Sequence, residues 1–283
     1  MSLGILTNVA ATYAENNLNQ TQGSLQTVLQ QLSSGSRINS GADDAAGLSV
    51  ADGLHANEAA LTQSAQNAQN GVGLLQTADG ALSQVTNLLD RAVTLATEAA
   101  NGGLTAAQST AADTEFQSIV TEIGNIGSST NFNSTNVFSA AATNFVVSDG
   151  TAGGTTTIAA TTGALSNASV GTAAGGGAGQ SLSADVLTSA ASAKTALTDI
   201  TTAIADVANQ RGAIGANINQ LNAAANVASS EEVNLSSAES AIRSTNYGQA
   251  TSDLAKFQVL SQTGISALAQ ANSVQQEILK LLQ

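Results

Sequence analysis

The sequence predicts a mainly α-helical protein in which long antiparallel helices form a coiled-coil hairpin with a small β-hairpin or irregular central insert. Three observations carry this prediction. Apolar residues recur every three or four positions over two long segments on either side of the centre. The chain of 283 residues contains no Pro, which would interrupt a long helix. Aromatic residues make up only 2% of it, so small side chains must fill the contacts, as they do where helices pack closely.

The terminal segments, residues 1–42 and 246–283, carry apolar residues at helical spacing between Gln, Asn, Ser and Thr. They have too little charge for solvating tails. They also bury too little apolar surface to order alone, because fixing the backbone costs about 1–2 kcal/mol per residue. We therefore expect them to fold on association, with copies of the same chain as partners. The recurring positions are Leu18, Leu25, Val28, Leu32, Leu254, Phe257, Leu260, Gly264, Leu268, Ala271, Val274, Ile278 and Leu281.

A first apolar seam has a mean step of about 3.5 residues, the period of a left-handed coiled coil. Gly71, Gly73 and Gly80 within it cost about 1 kcal/mol each relative to Ala, which is tolerable where a neighbouring helix approaches closely. The seam consists of Leu61, Ala65, Ala68, Val72, Leu75, Ala78, Leu82, Val85, Leu89, Ala92, Leu95 and Ala99.

A second seam, from Leu197 to Ile242, alternates steps of three and four residues, and most of its positions are apolar. It corresponds to about 70 Å of helix. Ordinary core packing in a helical bundle is the alternative for any single residue, but seams of this length favour coiled-coil packing. Two such segments on opposite sides of an irregular centre indicate an antiparallel pair within one chain.

The centre, residues 139–192, is rich in Gly, Thr, Ala and Ser. Residues 145–148 and 155–158 could form a β-hairpin around Asp149-Gly150 with a loose turn. A flexible polar loop is the competing interpretation, and the sequence does not decide between the two.

The composition argues against most enzyme chemistry. The chain has no Cys, and His55 is its only His, so it lacks the residues for zinc sites, thiol nucleophiles and His-based triads. A formal charge of −13 disfavours nucleic acid and anionic membranes, and no apolar run is long enough to span a bilayer. The carboxylate pairs at 43–44 and 231–232 point to different sides of a helix, and we place Asp43 in the first turn of a helix. We therefore predict no catalytic residue, cofactor or metal.

Long motifs at both ends resemble the two terminal signatures of bacterial flagellin, the subunit of the flagellar filament. The resemblance covers about residues 1–138 and 193–283, and it departs from the family at Ser134, where relatives usually carry Gly. The motifs include Leu32-Ser33-Ser34-Gly35-Ser36-Arg37-Ile38-Asn39-Ser40, Asp43-Asp44-Ala45-Ala46-Gly47, Ser240-Ala241-Ile242-Arg243 and Gln262-Thr263-Gly264-Ile265-Ser266-Ala267-Leu268-Ala269-Gln270-Ala271-Asn272.

The resemblance implies a subunit that assembles into a helical filament for swimming motility. It implies an axial core domain at 1–42 and 244–283, an outer coiled-coil domain at 43–138 and 193–243, and a short surface insert at 139–192. A hook-filament junction protein, or another secreted coiled-coil adhesin or needle-tip protein, is the alternative. The residues expected to mediate subunit assembly are Leu6, Val9, Leu18, Leu25, Leu32, Arg37, Asp43, Leu254, Phe257, Leu260, Leu268, Ile278 and Leu281.

The resemblance also implies partners. The chain would bind copies of itself, hook-associated and cap proteins, and an export chaperone at its C-terminal helix. It would leave the cell unfolded through the flagellar type III apparatus and remain in the extracellular filament, with no nucleic acid bound and no membrane insertion. A host Toll-like receptor that senses flagellin would contact Arg91, Leu95 and Glu115.

Overall fold

The computed structural model describes residues 8–151, 155–174 and 176–281. Its contacts divide the chain into a terminal unit, Met1–Ala56 with Asn234–Gln283, and a central unit, Asn57–Val233. The described chain is mainly helical, with three short antiparallel strand pairs. The elements in order are α1 (Val9–Ser34), α2 (Ala45–Ala100), α3 (Ala106–Ser129), β1 (Asn131–Phe132), β2 (Thr135–Asn136), β3 (Thr143–Ser148), β4 (Thr155–Ala160), β5 (Val170–Thr172), β6 (Ala178–Gln180), α4 (Ala190–Arg243) and α5 (Tyr247–Leu281).

In the terminal unit, α1 packs antiparallel against α5. The side-chain amide of Asn8, which also caps α1, donates to the carbonyl of Ala271 at 2.9 Å. At the other end of the pair, the Thr245 N–H donates to the carbonyl of Gly35 at 3.1 Å. Each helix therefore has one long face covered by the other.

The turn between α1 and α2 contradicts one sequence prediction. Helix α2 begins at Ala45, and the carboxylate of Asp44 accepts the Gly47 N–H at 2.8 Å, which is the N-cap interaction. Asp43 therefore precedes the helix and does not lie in its first turn. Its carboxylate closes the turn over residues 39–43.

The burial along α2 and α4 confirms both apolar seams. Every position of the first seam in α2 is buried or half-buried, and so is every position of the second seam in α4. In the central unit, Arg211 Nε donates to Asp79 Oδ1 at 2.7 Å, and a Cβ on Gly71 would lie 2.9 Å from Leu221 Cδ1. Residue numbers rise along α2 as they fall along α4, which confirms the antiparallel pair. Helix α3 adds a third side to the core through Phe116, which is fully buried.

At the centre of the chain the structure contains the β-hairpin and not the flexible polar loop. Strands β3 and β4 pair antiparallel, with Phe145 opposite Ile158. Their connection runs through residues 149–154, of which 152–154 lie outside the described residues. The side chains of Ser64 and Asn67 in α2 bond to the backbone of β3. The hairpin is therefore held against the long helix.

The central segment is more deeply packed than a surface insert implies. Ile158, Leu165, Val170, Leu182 and Leu187 are at most 5% exposed and join the core cluster formed with α2, α3 and α4. Residues 139–192 therefore cover one side of the helices, and their apolar residues serve the core.

Candidate functional site

The surface of the α1 and α5 pair is the candidate site, because the predicted assembly residues of these helices converge there. Leu18, Leu25, Leu32, Leu254, Phe257 and Leu268 are half-buried along the α1 and α5 contact. Val9 and Leu260 remain 60% and 44% exposed. Leu6 lies outside the described residues, and Ile278 and Leu281 lie in α5. The pair thus uses part of its apolar surface within the chain and leaves part uncovered.

Sequence reasoning missed several apolar side chains that face outward on the same two helices. Adjacent apolar residues such as 28–29 and 259–260 were the available signal, because neighbours on a helix point about 100° apart and therefore mark two apolar faces. Val28 is buried, whereas Leu29 is 47% exposed. The other exposed residues that it missed are Tyr13, Tyr247, Val259 and Ile265, at 67%, 56%, 65% and 49%. Val274, 43% exposed, belongs to the recurring positions named from the sequence.

A groove of about 470 Å³ runs between α1 and α5 in the terminal unit. Gly264 forms part of it, and a Cβ there would lie 3.3 Å from Leu18 Cδ1, so the missing side chain lets the two helices approach. Both apolar and uncharged polar groups line the groove. It is lined by Asn17, Leu18, Gln20, Thr21, Ser24, Phe257, Leu260, Thr263, Gly264 and Ala267.

Arg37 and Asp43 stand beside this pair at the surface. The Arg37 guanidinium donates to the carbonyl of Ile242 at 2.9 Å, and its backbone N–H donates to the carbonyl of Arg243 at 2.7 Å. The N–H groups of Asn39 and Ser40 donate to the Asp43 carboxylate at 3.0 and 2.8 Å, and these bonds lower its pKa. Both side chains thus have local roles in holding the turn between α1 and α2.

The predicted receptor contacts fall in two classes. Arg91 Nε donates to Glu115 Oε1 at 2.7 Å, with the side chains 53% and 46% exposed. This bond lowers the pKa of Glu115 and raises that of Arg91. Leu95 is only 3% exposed and belongs to the core, so its side chain is not presented to a partner.

The other ionisable groups named in the sequence are dispersed. His55 Nδ1 lies 3.6 Å from Glu239 Oε2 in the terminal unit, an ion pair when the imidazole is protonated. Glu231 and Glu232 lie in the C-terminal quarter of α4, in the central unit.

The comparisons with known proteins agree with this architecture. Residues 5–143 match the bacterial flagellin N-terminal helical region, and residues 197–282 match the bacterial flagellin C-terminal helical region. The "Flagellar filament 30.7 kDa core protein" of Treponema maltophilum is 32% identical over 97% of this chain and 98% of its own length. The chain belongs to the bacterial flagellin family. The alignment with this relative covers nearly the whole of both chains.

Two other flagellins show how the similarity is distributed. The flagellin of Halalkalibacterium halodurans is 30% identical over 97% of this chain and 98% of its own length. Flagellin 1 of Proteus mirabilis is 38% identical, but the match spans 53% of this chain and 41% of that protein. The crystal structure of Bacillus cereus flagellin is 28% identical, with a TM-score of 0.46 over 57% of this chain and 88% of that one.

Family membership establishes the general role of this flagellin. It is a structural subunit of the flagellar filament, and the junction, adhesin and needle-tip alternatives are not favoured. Flagellin subunits assemble with each other and form an extracellular part of the flagellum. Among the described residues, no helix combines the length and hydropathy that crossing a bilayer would require.

Proposed function

We propose that this flagellin polymerises through its terminal unit, and that the exposed apolar side chains of α1 and α5 are the contacts between copies. The observation that carries the proposal is the imbalance of burial in α1. Among its described residues only Val28 is buried, while Val9, Tyr13 and Leu29 are 47–67% exposed. Burying a fully exposed large apolar side chain contributes about 1.5–3 kcal/mol, and these side chains have about half of their surface left to cover, so several such contacts would hold two subunits together.

Charge supports the same surface. Residues 1–42 and 246–283 contain three acidic and three basic side chains, which cancel, so the formal charge of −13 lies between these segments. A neutral surface lets many copies meet without mutual repulsion, whereas the acidic remainder keeps the protein soluble. The six charged residues are Glu15, Arg37, Asp253, Lys256, Glu277 and Lys280.

The domain roles follow from this assignment. Residues 1–42 and 244–283 would form the axial core, 43–138 and 193–243 the outer coiled coil, and 139–192 the outermost cover. The contact-based units divide elsewhere, after Ala56 and after Val233, within α2 and α4. The well-packed central unit supports an outer domain that keeps its fold outside the polymer. The assembly residues predicted from the sequence, including Arg37 and Asp43 beside the pair, keep that role here.

Export and its partners complete the proposal. The chain would leave the cell unfolded through the type III apparatus, with a chaperone covering α5 beforehand and with hook-associated and cap proteins meeting the terminal unit afterwards. The exposed apolar residues of α5 support a chaperone, because such a surface aggregates when left uncovered. No enzymatic role is proposed, in keeping with a family of structural proteins.

Receptor recognition is proposed in a narrower form than the sequence implied. Arg91 and Glu115 would present their charges to the receptor, while Leu95 would pack beneath them in the core. The exposed ion pair between Arg91 and Glu115 supports this surface, because both side chains can reach a partner without unfolding.

Substitution of Leu260 by Asp tests the assembly surface. Leu260 is 44% exposed on α5, and Val146 on β3 is 43% exposed in the central unit, so Val146→Asp is the matched control. We expect Leu260→Asp to raise the critical concentration for polymerisation about tenfold or more, because a charge is then buried between copies. Val146→Asp should leave it within about twofold, since a solvated charge costs little.

The assay follows growth of monomer on sonicated filament seeds by light scattering and electron microscopy. Circular dichroism of both monomers shows whether the helices are intact. Equal growth of the Leu260→Asp and Val146→Asp monomers would place the subunit contacts elsewhere.

A further inference from the structure

The chain contains two Asn-Gly dipeptides, and the structure places them in different backbone settings. Asn70-Gly71 lies within α2, and Asn101-Gly102 follows directly after its last residue, Ala100. Both Asn side chains are exposed. Because both sites are exposed, a difference in reactivity between them reports on backbone conformation and not on solvent access.

The backbone at Asn101 is open. Gly102 adopts a φ of +68°, and a Cβ on it would meet only Ala190 Cβ, at 3.9 Å. A Cβ on the next residue, Gly103, would meet nothing within 4 Å. Within the described parts of the chain, the Asn101 side-chain amide has no hydrogen-bond partner. The side chain and the following peptide can thus rotate towards each other without displacing a neighbour.

We propose that Asn101 is a site of spontaneous covalent modification that converts the amide to aspartate and isoaspartate. The backbone nitrogen of Gly102 bonds to Cγ of Asn101, and the bond from Cγ to Nδ2 breaks. Nδ2 leaves as ammonia and takes with it the proton of the Gly102 N–H. Water then opens the cyclic imide. Opening at Cγ gives aspartate, and opening at the main-chain carbonyl gives isoaspartate.

Asn70 is protected by its position in the helix. The N–H of Gly71 is committed to the helical hydrogen bond with the residue four positions earlier, so its nitrogen cannot reach the preceding side chain. Gly71 is also enclosed, because a Cβ there would lie 2.9 Å from Leu221 Cδ1 and 3.1 Å from the Phe145 ring. Ring closure at Asn70 therefore requires the middle of α2 to open first.

The modification changes the surface of the central unit. It adds one negative charge next to the C-terminal end of α2, where the helix dipole disfavours it. Isoaspartate also lengthens the main chain of the connection between α2 and α3 by one methylene. Each exposed subunit would acquire the change with time, so its extent would record the age of the protein.

Peptide mapping of the full-length chain tests the proposal. After incubation in mildly alkaline buffer, mass spectrometry measures amide loss at both sites, and an isoaspartyl methyltransferase labels the isoaspartate. We expect conversion at Asn101 about a hundredfold faster than at Asn70, because only Asn70 depends on helix opening. Asn101→Gln should remove most of the label, and Asn70→Gln should leave it unchanged.

The same incubation in denaturant provides the control for intrinsic reactivity. There the two dipeptides should convert at similar rates, within about threefold, because the helix no longer distinguishes them. Equal rates in the folded chain, or label that persists in Asn101→Gln, would overturn the proposal. Absence of conversion at Asn101 in the folded chain would overturn it as well.

Discussion

Replacing Asp185 by Asn should stabilise this flagellin at neutral pH and not in acid. Asp185 lies between β6 and α4, and its Oδ2 is buried with no hydrogen-bond partner among the described residues. Burial and the neighbouring Asp199 carboxylate raise the pKa of Asp185 from 3.8 to about 6. The folded protein therefore holds the ionised form at a cost.

The pKa shift sets the size and the sign of the effect. About two pKa units correspond to about 3 kcal/mol, and solvent screening of this half-buried group reduces the expected cost to about 1 kcal/mol. The pKa of Asp185 is higher in the folded than in the unfolded protein. Protonated Asp185 therefore contributes fully to folding stability below pH 3.8, and this contribution is lost as the pH rises through about 6. Asp185→Asn should therefore gain about 1 kcal/mol above about pH 7 and nothing below about pH 4.

Urea unfolding followed by circular dichroism measures the difference between the two proteins at each pH. Dilute protein prevents polymerisation from contributing. Asp199→Asn should give a smaller gain, because it removes the repulsion and leaves the burial of Asp185, and the double variant should gain less than the sum. An equal gain in acid and at neutral pH would refute the reasoning, and so would a loss at neutral pH.

Two further predictions concern backbone conformation. Asn133 and Ser134 have φ values of +49° and +63° in the two-residue turn between β1 and β2, so Ser134→Gly should raise stability by about 0.5 kcal/mol, seen as a higher urea midpoint with unchanged slope. Gly171 has a φ of +79°, and a Cβ there would collide with the backbone of Val207, so Gly171→Ala should cost about 3 kcal/mol by the same measurement. Gly103→Ala, in open space, is the control and should cost nothing; a similar loss from both would contradict the steric argument.

Long periodic features could be predicted from the sequence, because many residues report on one helix face. Both seams occupy buried or half-buried positions along their whole length. The first seam contains Leu95, and its period predicted the burial that the structure shows there.

Short features could not be predicted, because one or two residues decide them. The strands β1 and β2 have two residues each, and their turn carries Ser134 in place of the Gly that marks such turns. Which of the adjacent carboxylates Asp43 and Asp44 caps α2 depends on where the helix begins, and the sequence allows either. The exposed residues Val259 and Ile265 of α5 were missed because the apolar positions of that helix were traced along one side only.

The hydrogen bonds from Ser64 and Asn67 to β3 matter where many subunits are packed side by side. The Ser64 hydroxyl donates to the Ser148 carbonyl at 2.6 Å and accepts its N–H at 2.8 Å, and Asn67 donates to the Val146 carbonyl at 3.1 Å. Subunits in a filament stand side by side at very high local concentration, where an open strand edge invites a strand from the next copy. Helix α2 occupies that edge of β3, so a strand of the next copy cannot pair with it in an amyloid-like arrangement.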